Sequence, residues 1–455
     1  MKFVDCIKSE LDIFQEYPQD LSNSEGWWSY YSATGLTVNQ GEILIDIPST
    51  EYYIDFSACS LYVKVKIYDS SKTLLDAFDT VNCPISPTNN FLHTVFKQIN
   101  VDINGTNIEN TNLTYPYKAY ILNLLNYNHE AKDTILSPSL FYKDNNMDVL
   151  AVNKVKIEGV EGNTKEVPVD YNDGFLKRRQ VLIDGKGSIE MMGNLHCDLF
   201  NSDRLMLNYI PIKIKLWKND EAFCIMGPAD HKYKIYFEEV KLRVRHQKIS
   251  PSISLAHQNT LLKSHAKYPV RDTQVKICKI SNSSLKWTEV LINGIIPDRI
   301  IIGMVESLAS SGVSTKNPFN FQHFYIEEFK LLVNNSDLPY KNGLTFDFDR
   351  NIYLDGYMSI FDTLDKHDLG NNLTREDYKN GFCFFAFNLL PITSCSGDYT
   401  SPLKKGTVSV NLKFHAKSTT YYTLKDIDLI CLFEYSNQIE IDDKLKASKV
   451  QNIII

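Results

Sequence analysis

Hydrophobic and polar residues alternate along many segments of the chain. Apolar residues stand at every second position over 61–67, 99–103, 212–216 and 408–414. Successive side chains of a strand point to opposite faces, so each segment predicts a strand with one buried face. Such strands are typical of antiparallel sheets. Asn-Gly and Asp-Gly pairs lie between the apolar runs, and the pair at 104–105 predicts a tight hairpin.

Helical spacing is limited to three short segments. Pro116 suits the first turn of a helix, and the apolar residues after it repeat at helical intervals. These residues are Tyr117, Tyr120, Ile121, Leu124 and Leu125. Thr374 and Asp377 have the spacing of a capping box for a helix that ends before Gly381, and a further helix is predicted over 252–262. Many strands and few helices predict an all-β chain of antiparallel sandwiches with a few short helices in loops.

The domain division follows from the segment Gly227-Pro-Ala-Asp230, which separates two strand-like runs near the middle of the chain. We predict one sandwich over 41–228 and a second over 229–437. An irregular N-terminal arm over 1–40 and a charged C-terminal tail over 438–455 complete this prediction. No residue-level repeat relates the two halves, so the duplication rests on the pattern of strands alone.

Composition agrees with large buried cores. The chain has 455 residues, 43% of them apolar, and its 26 Tyr, 24 Phe and 4 Trp suit half-buried strands. The formal charge of −7 argues against a surface largely covered by nucleic acid. No apolar run approaches the roughly 18 residues of a membrane span, so none is predicted.

Four aromatic residues stand in the predicted arm without a strand pattern around them: Trp27, Trp28, Tyr30 and Tyr31. Exposed aromatic residues usually contact a partner surface. We expect the arm to dock on the inner face of an assembly or on another subunit. Packing of the Trp pair on the first sandwich of its own chain remains the alternative.

Residues 232–279 form a basic stretch. It contains eight Lys and three Arg but only three acidic residues, which gives a local net charge of +8. Three interpretations stay open. The stretch could bind phosphate groups, or it could pair with the acidic stretch 347–368 of a neighbouring copy. It could also be the outer face of a strand whose inner face carries Val240, Leu242 and Val244.

The candidate metal ligands are Asp347, Asp349 and Asn351, spaced like the start of a calcium loop. The pattern then fails, because Ile352 stands at the sixth position, where the loop needs Gly, and Met358 at the twelfth, where it needs Glu. An acidic turn is the better interpretation. We therefore predict no metal-binding residue.

The sequence evidence for catalytic residues is similarly weak. His196, Cys197 and Asp198 are adjacent, but neighbouring side chains of a strand point to opposite faces and do not form one nucleophilic site. The nine cysteines are widely spaced without a C-x-x-C pair, and no phosphate-binding glycine motif or hydrolase elbow occurs. We predict no catalytic residue, no cofactor and no enzymatic activity.

Three short segments have a distinctive sequence: TYPYKAY (114–120), AKYPVR (266–271) and KNPFNF (316–321). With longer stretches around them, they resemble the major capsid proteins of the Polinton/Maverick and adintovirus group of eukaryotic DNA elements. The likeness runs in order through most of 42–442 and is weaker at both termini. The resemblance implies a double jelly roll, in which each jelly roll is an eight-stranded antiparallel sandwich.

The resemblance also implies a role in a virion. Homotrimers of such proteins form pseudo-hexagonal capsomers that tile an icosahedral shell, and a single jelly-roll penton protein fills the vertices. The shell encloses double-stranded DNA without sequence-specific binding, and assembly takes place inside the host cell, in cytoplasm or nucleus. The alternative function is a lectin-like or carbohydrate-binding β-sandwich protein, and a β-sandwich hydrolase is a third. A lectin would bind glycans and a hydrolase would turn over substrate, whereas a capsid protein would form particles.

Overall fold

The computed structural model describes residues 20, 22–36, 41–71, 78, 83–147, 153–158, 164–229, 232–280, 285–365, 370–371, 373–391, 402–416 and 426–450, with backbone alone over 153–158 and 164–170. The strands of its first half are β1 (Asn23–Ser32), β2 (Glu42–Ile47), β3 (Tyr53–Asp69), β4 (Ser86–Pro87), β5 (Phe96–Ile103), β6 (Thr106–Asn110), β7 (Asn153–Glu158), β8 (Thr164–Asp170), β9 (Ser188–Gly193), β10 (Ile212–Lys218), β11 (Ile225–Met226) and β12 (Tyr233–Ile249).

The strands of its second half are β13 (Ala266–Ile280), β14 (Lys286–Ile295), β15 (Arg299–Glu306), β16 (Ile326–Val333), β17 (Ser336–Asp337), β18 (Leu344–Thr345), β19 (Phe384–Asn388), β20 (Lys405–Phe414), β21 (Ile427–Ile441) and β22 (Ala447–Val450). The α-helices are α1 (Phe91–Thr94), α2 (Tyr115–Asn126), α3 (His129–Asp133), α4 (Asp173–Asp184), α5 (Glu221–Cys224), α6 (Pro251–Leu261), α7 (Ser307–Ser310), α8 (Leu354–Leu364) and α9 (Arg375–Lys379). The described chain is therefore mostly strand, as the alternating pattern predicts.

Each half of the chain builds one sandwich from two sheets. The first sandwich has the sheets β1-β12-β3-β9 and β2-β10-β5-β6, and the second has β13-β21-β15-β19 and β14-β20-β16-β17. When the eight strands of each sandwich are numbered along the chain, both sandwiches have the order 1-8-3-6 in one sheet and 2-7-4-5 in the other. The two halves thus share one topology, although no residue-level repeat relates them.

Local signals in the sequence correspond to local elements of the structure. The four alternating segments lie in β3, β5, β10 and β20, and their apolar residues are buried. Asn104 and Gly105 both have positive φ (46° and 78°) in the tight turn between β5 and β6, as predicted for a hairpin. Thr374 and Asp377 form the predicted capping box of α9. The helices α4 and α8 are not among the predicted ones.

The break between the sandwiches differs from the predicted one. The strand after Gly227-Pro-Ala-Asp230 is β12, which pairs with β1 and β3 inside the first sandwich. The second sandwich begins only at β13, after α6. The pairing partners of β12 lie far away along the chain, so a local loop signal at 227–230 does not reveal them.

The predicted arm and tail both contain strands. Within the predicted arm, β1 pairs with β12 over Asn23–Ser32, and within the predicted tail β22 pairs with β21. Residues 1–19, 21, 37–40 and 451–455 lie outside the described residues. Both termini of the described chain therefore contribute edge strands to sheets.

Two hydrophobic cores fill the sandwiches, and α2 lies where they meet. Ten of the twelve residues of α2 are buried. Its Tyr115 and Ala119 pack in the core of the first sandwich, whereas Ile121 and Leu124 pack in the core of the second. α2 is therefore a wedge that packs between both cores.

The strand pair β13–β21 also belongs to both cores. Its ladder pairs fifteen residues of each strand, from Ala266 with Ile441 to Ile280 with Ile427. Tyr268 and Ile439 at one end pack in the first core. Ile280 and Leu429 at the other end pack in the second. The sandwiches are therefore joined by continuous strands as well as by α2.

Leu124→Ala tests the position of the wedge. Leu124 is fully buried, so we expect the variant to lose about 2–5 kcal/mol of unfolding free energy. Chemical denaturation followed by circular dichroism measures this loss. Ile135→Ala is the control, because Ile135 is 63% exposed and its truncation should change stability by less than about 0.5 kcal/mol. Equal stability of the two variants would contradict the placement of α2.

Candidate assembly site: the sandwich junction and the aromatic–arginine surface

A buried ion cluster lies at the meeting point of the sandwiches. The Nζ atom of Lys118, on α2, is 2.7 Å from Oε1 of Glu109 on β6 and 2.7 Å from Oδ1 of Asp198 in the loop after β9. All three side chains are nearly inaccessible to solvent. The second carboxylate oxygen of Glu109 accepts a hydrogen bond from the backbone N–H of Asp198 (2.7 Å). The cluster therefore fixes α2, β6 and this loop to one another.

Burial and neighbouring charges raise the pKa values of both Asp198 and Lys118 in this cluster. Burial raises the pKa of the Asp198 carboxyl well above its usual range, and the neighbouring Glu109 raises it further. Burial opposes the charge of Lys118, but the two carboxyl groups outweigh it and raise the pKa of the ammonium. The three groups together have no net charge when Asp198 carries a proton. Charge neutrality lowers the cost of burying all three groups.

The same cluster reaches the second sandwich through β13. The backbone N–H of Thr273 donates to Oδ1 of Asp198 (3.2 Å). The adjacent Asp272 is ion-paired with Lys449 of β22 (2.7 Å), and this pairing outweighs burial and lowers the pKa of Asp272. A cavity of about 650 Å³ lies beside these groups. We call Glu109, Lys118, Asp198, Asp272 and Lys449 the junction cluster.

A second buried cation, Arg178, connects α4 to segments of both halves of the chain. Arg178 of α4 donates to the carbonyl of Pro87 (2.8 Å) and is ion-paired with Asp144 (2.9 Å), and both side chains are fully buried. The other oxygen of Asp144 accepts from Nδ2 of Asn317, which belongs to the second half (3.2 Å). Arg178 was not predicted as a buried residue, because arginine is usually exposed and α4 was not predicted either. The sequence signal that could have found it is Asn172, which caps α4.

His196, Cys197 and Asp198 have separate surroundings, as expected for adjacent side chains of an extended segment. The His196 ring packs on His93, with centroids 4.6 Å apart, Cys197 lies in the first core, and Asp198 faces Lys118. Burial raises the pKa of the Cys197 thiol well above its usual range and lowers the pKa of His196 to about 3. Both shifts favour the uncharged forms of these groups, the protonated thiol and the neutral imidazole.

The residues of the possible calcium loop form a turn before α8. The backbones of Asp347 and Ile352 exchange hydrogen bonds of 2.8 and 2.9 Å, and Arg350 is ion-paired with Asp347 (3.5 Å). The side-chain oxygen of Asn351 accepts from Lys379 (3.0 Å). Oxygens that would coordinate a cation thus already contact basic side chains. Within the described ranges, no group of three or more His, Cys, Asp or Glu residues is arranged to hold a metal.

The aromatic residues of the predicted arm pack on their own sandwich. Trp27 lies edge-on to Tyr52 with ring centroids 4.5 Å apart, and the Tyr31 hydroxyl is hydrogen-bonded to Nε2 of His246 (3.0 Å). Trp28, on the opposite face of β1, lies against the guanidinium groups of Arg243 (5.0 Å) and Arg245 (4.2 Å). This supports the alternative in which the Trp pair packs on the first sandwich, because β1 completes its outer sheet.

The central part of the basic stretch is the outer face of β12. Val240, Leu242 and Val244 are buried, and the intervening Lys241, Arg243 and Arg245 alternate with them toward the outside, as one of the three interpretations predicts. Together with Trp28 and Tyr30 of β1, two of these side chains form a patch that we call the aromatic–arginine surface: Trp28, Tyr30, Arg243 and Arg245. Tyr30 is 57% exposed. Pairing with the acidic stretch of a neighbouring copy stays a prediction.

Comparisons with known proteins show which structures are similar to this architecture. No protein-family model matches the sequence. A Caenorhabditis elegans protein described as uncharacterized protein F54H12.2 is 23% identical over 337 residues, which cover 72% of this chain and 74% of that protein. Among solved structures, a chain of the Sputnik virophage aligns with a TM-score of 0.60 at 12% identity, over 100% of this chain and 94% of that chain. The mavirus major capsid protein aligns with a TM-score of 0.54 at 11% identity, over 100% and 96%.

These full-length alignments agree with the shared strand order of the two sandwiches. The chain is a double jelly roll. The all-β fold expected from the sequence is thereby confirmed, with eight main strands in each jelly roll and short helices in the loops. In the part of the double jelly roll that the structure describes, no helix has the length and hydropathy needed to cross a membrane.

Lys118→Met tests the junction cluster. Removal of the ammonium group leaves the buried carboxyl groups of Glu109 and Asp198 without the cationic hydrogen-bond donor that they share, so we expect a loss of about 3–5 kcal/mol of unfolding free energy. Urea denaturation measures this loss. The control is Lys248→Met, because its ion pair with Glu25 is exposed and should be worth about 0–1 kcal/mol. A Lys118 variant as stable as this control would show that the cluster does not hold the junction.

The buried pair His93 and His196 predicts a pH dependence. Burial lowers the pKa of both, that of His196 to about 3, whereas an unfolded histidine titrates near 6.5. Between these values the unfolded chain binds more protons, so the stability from this pair is complete above pH 6.5 and is lost as the pH falls toward 3.

Urea unfolding at pH 7, 6, 5 and 4 measures this dependence. A His93→Gln, His196→Gln double variant should show a shallower decline of stability than the parent over this interval, because glutamine does not titrate. Parallel curves for parent and variant would contradict the neutral, buried state of the two histidines.

Proposed function

We propose that this double jelly roll is a viral major capsid protein, the repeating structural subunit of an icosahedral shell. One observation carries the proposal: two jelly rolls of identical strand order are joined into one block, and that block aligns over its whole length with the mavirus major capsid protein. That neighbour is by name a capsid protein, and we extend its role to the present chain.

The architecture suits a trimeric capsomer. Three copies of a chain with two equivalent sandwiches place six sandwiches around one threefold axis, which gives a nearly hexagonal outline. Such a ring needs a fixed angle between the two sandwiches of each copy. The wedge α2, the shared ladder β13–β21 and the junction cluster supply that rigidity.

The lineage of the proposed capsid protein is the Polinton/Maverick and adintovirus group. The three most specific stretches of the resemblance support this assignment, because all three build the junction. TYPYKAY forms most of the first two turns of α2, AKYPVR begins β13, and KNPFNF places Phe319 against Tyr120 with ring centroids 4.0 Å apart. These residues maintain the arrangement of the two sandwiches, which a capsomer of this kind requires.

The partners follow from the same proposal. Copies of this chain would form trimers and then a lattice, a single jelly-roll penton protein would fill the vertices, and double-stranded DNA would be enclosed without sequence-specific contacts. The aromatic–arginine surface is a candidate contact between copies, because exposed Tyr, Trp and Arg are the residues that interfaces favour. The chain would therefore act in the virion after assembly inside the host cell.

Light scattering on the purified protein tests the proposal. We expect a mass of three times 52.2 kDa, and negative-stain microscopy should show hexagonal capsomers or closed particles. A stable monomer at micromolar concentration that binds glycans would contradict the proposal and favour a lectin-like protein.

A surface variant separates assembly from folding. The double change Trp28→Ser, Tyr30→Ser should leave the circular dichroism spectrum of the chain unchanged and lower the yield of trimers or particles. Leu308→Ser is the matched control, since Leu308 is also exposed but belongs to α7 of the second jelly roll. Equal yields of trimers or particles for both variants would show that the aromatic–arginine surface is not an assembly contact.

A further inference from the structure

The aromatic–arginine surface presents positive charge without an acidic partner. In the ladder between β1 and β12, Trp28 lies directly opposite Arg245, and Tyr30 lies opposite Arg243. Neither guanidinium has an ion-pair partner in the part of the chain that the structure describes, whereas the adjacent Lys241 is ion-paired within its own strand. Nε of Arg243 is buried and also lacks a hydrogen-bond partner among these residues. The surface therefore offers two cations and two aromatic rings to another molecule.

The outward face of α8 carries the complementary chemistry. It lies within the acidic stretch 347–368, and no Lys or Arg occurs from 351 to 365. Five exposed side chains of this face and its C-cap form what we call the α8 ridge: Leu354, Asp355, Met358, Asp362 and Asp365. At 3.6 residues per turn, they fall within one arc of about 100°. The two apolar side chains lie toward one side of this arc, and Asp355 and Asp362 lie toward the other.

The spacing of charges agrees between the two surfaces. Asp355 and Asp362 are seven residues apart, which is about 10 Å along a helix axis. Arg243 and Arg245 are two residues apart, which is about 7 Å along a strand. The long arginine side chains span the difference of a few Å, so each guanidinium reaches one carboxylate. The aliphatic side chains of the ridge are one helical turn apart and match the spacing of the two aromatic rings.

The two surfaces belong to different jelly rolls and face solvent in the single chain. Trp28 is 39% exposed and Met358 is 43% exposed, so the surfaces do not cover each other within one chain. Like charges prevent either surface from binding a second copy of itself. A contact between them is therefore head to tail, from the first jelly roll of one copy to the second jelly roll of the next. Contacts of this kind close into rings.

We propose that the aromatic–arginine surface of one copy binds the α8 ridge of the next copy in the trimer. Arg243 and Arg245 pair with the aspartates of the ridge. Leu354 and Met358 pack against the aromatic rings of β1. This inference rests on the proposed function, because it needs the trimer, and it names the residues that hold neighbouring copies together.

Charge reversal in the full-length chain tests this contact. One variant carries Arg243→Asp and Arg245→Asp, a second carries Asp355→Arg and Asp362→Arg, and a third combines all four changes. Sedimentation and light scattering over a range of concentrations measure the dissociation constant of the trimer, and circular dichroism checks the fold of each variant. The α8 variant tests the contact separately from β12, since its two side chains are exposed on a helix.

The matched control is the double change Arg179→Asp, Lys213→Asp. It alters the net charge by the same amount as the reversal on β12, but its residues lie on α4 and β10. Neither residue has an ion-pair partner in the described ranges. A general effect of net charge on assembly would therefore appear in this control as well.

We expect each double reversal to raise the dissociation constant of the trimer at least about tenfold, because like charges then face each other in every contact. The fourfold variant should return to within about threefold of the parent, and the control should equal the parent. A parent trimer that both double reversals leave unchanged, or that the fourfold variant fails to restore, would overturn this contact alone. A parent that stays monomeric would contradict the proposed function, and this contact with it.

Discussion

A lysine buried between two carboxyl groups is the interaction on which the arrangement of the two jelly rolls depends. Lys118 reaches Glu109 and Asp198 only when α2, β6 and the loop after β9 are all in place. A partial arrangement would leave a charge in an apolar interior, which costs several kcal/mol. The cluster therefore penalises any packing in which one of these three segments is displaced.

Local features of this fold are visible in the sequence because local physics sets them. The alternation in β3 and β20, the hairpin at Asn104-Gly105 and the capping box at Thr374 depend on neighbouring residues only. The junction cluster was not visible in this way. Its members come from separate segments, and Lys118 resembles an ordinary surface lysine until the surrounding helix is known to be a wedge.

The edge strand β1 illustrates the same limit. Its aromatic residues lie on both faces, with Trp27 and Tyr31 directed toward His246 and Trp28 toward the arginines of β12, so the period of two is hidden. The division of the chain could not be predicted for a related reason. The loop at 227–230 has the composition of a boundary, but β12 after it completes the first sheet by pairing with strands far back in the chain.

The ladder β13–β21 has a consequence for synthesis of the chain. Ile439, Ile441 and Ala447 pack in the core of the first jelly roll, although they are synthesised after the other seven main strands of the second jelly roll. The first jelly roll therefore completes its core only after most of the second has been synthesised, and part of its apolar surface stays uncovered until then. Contacts of such sequence separation fold slowly and expose strand edges meanwhile. Apolar surface that stays uncovered in this way is prone to aggregation until β21 and β22 are in place.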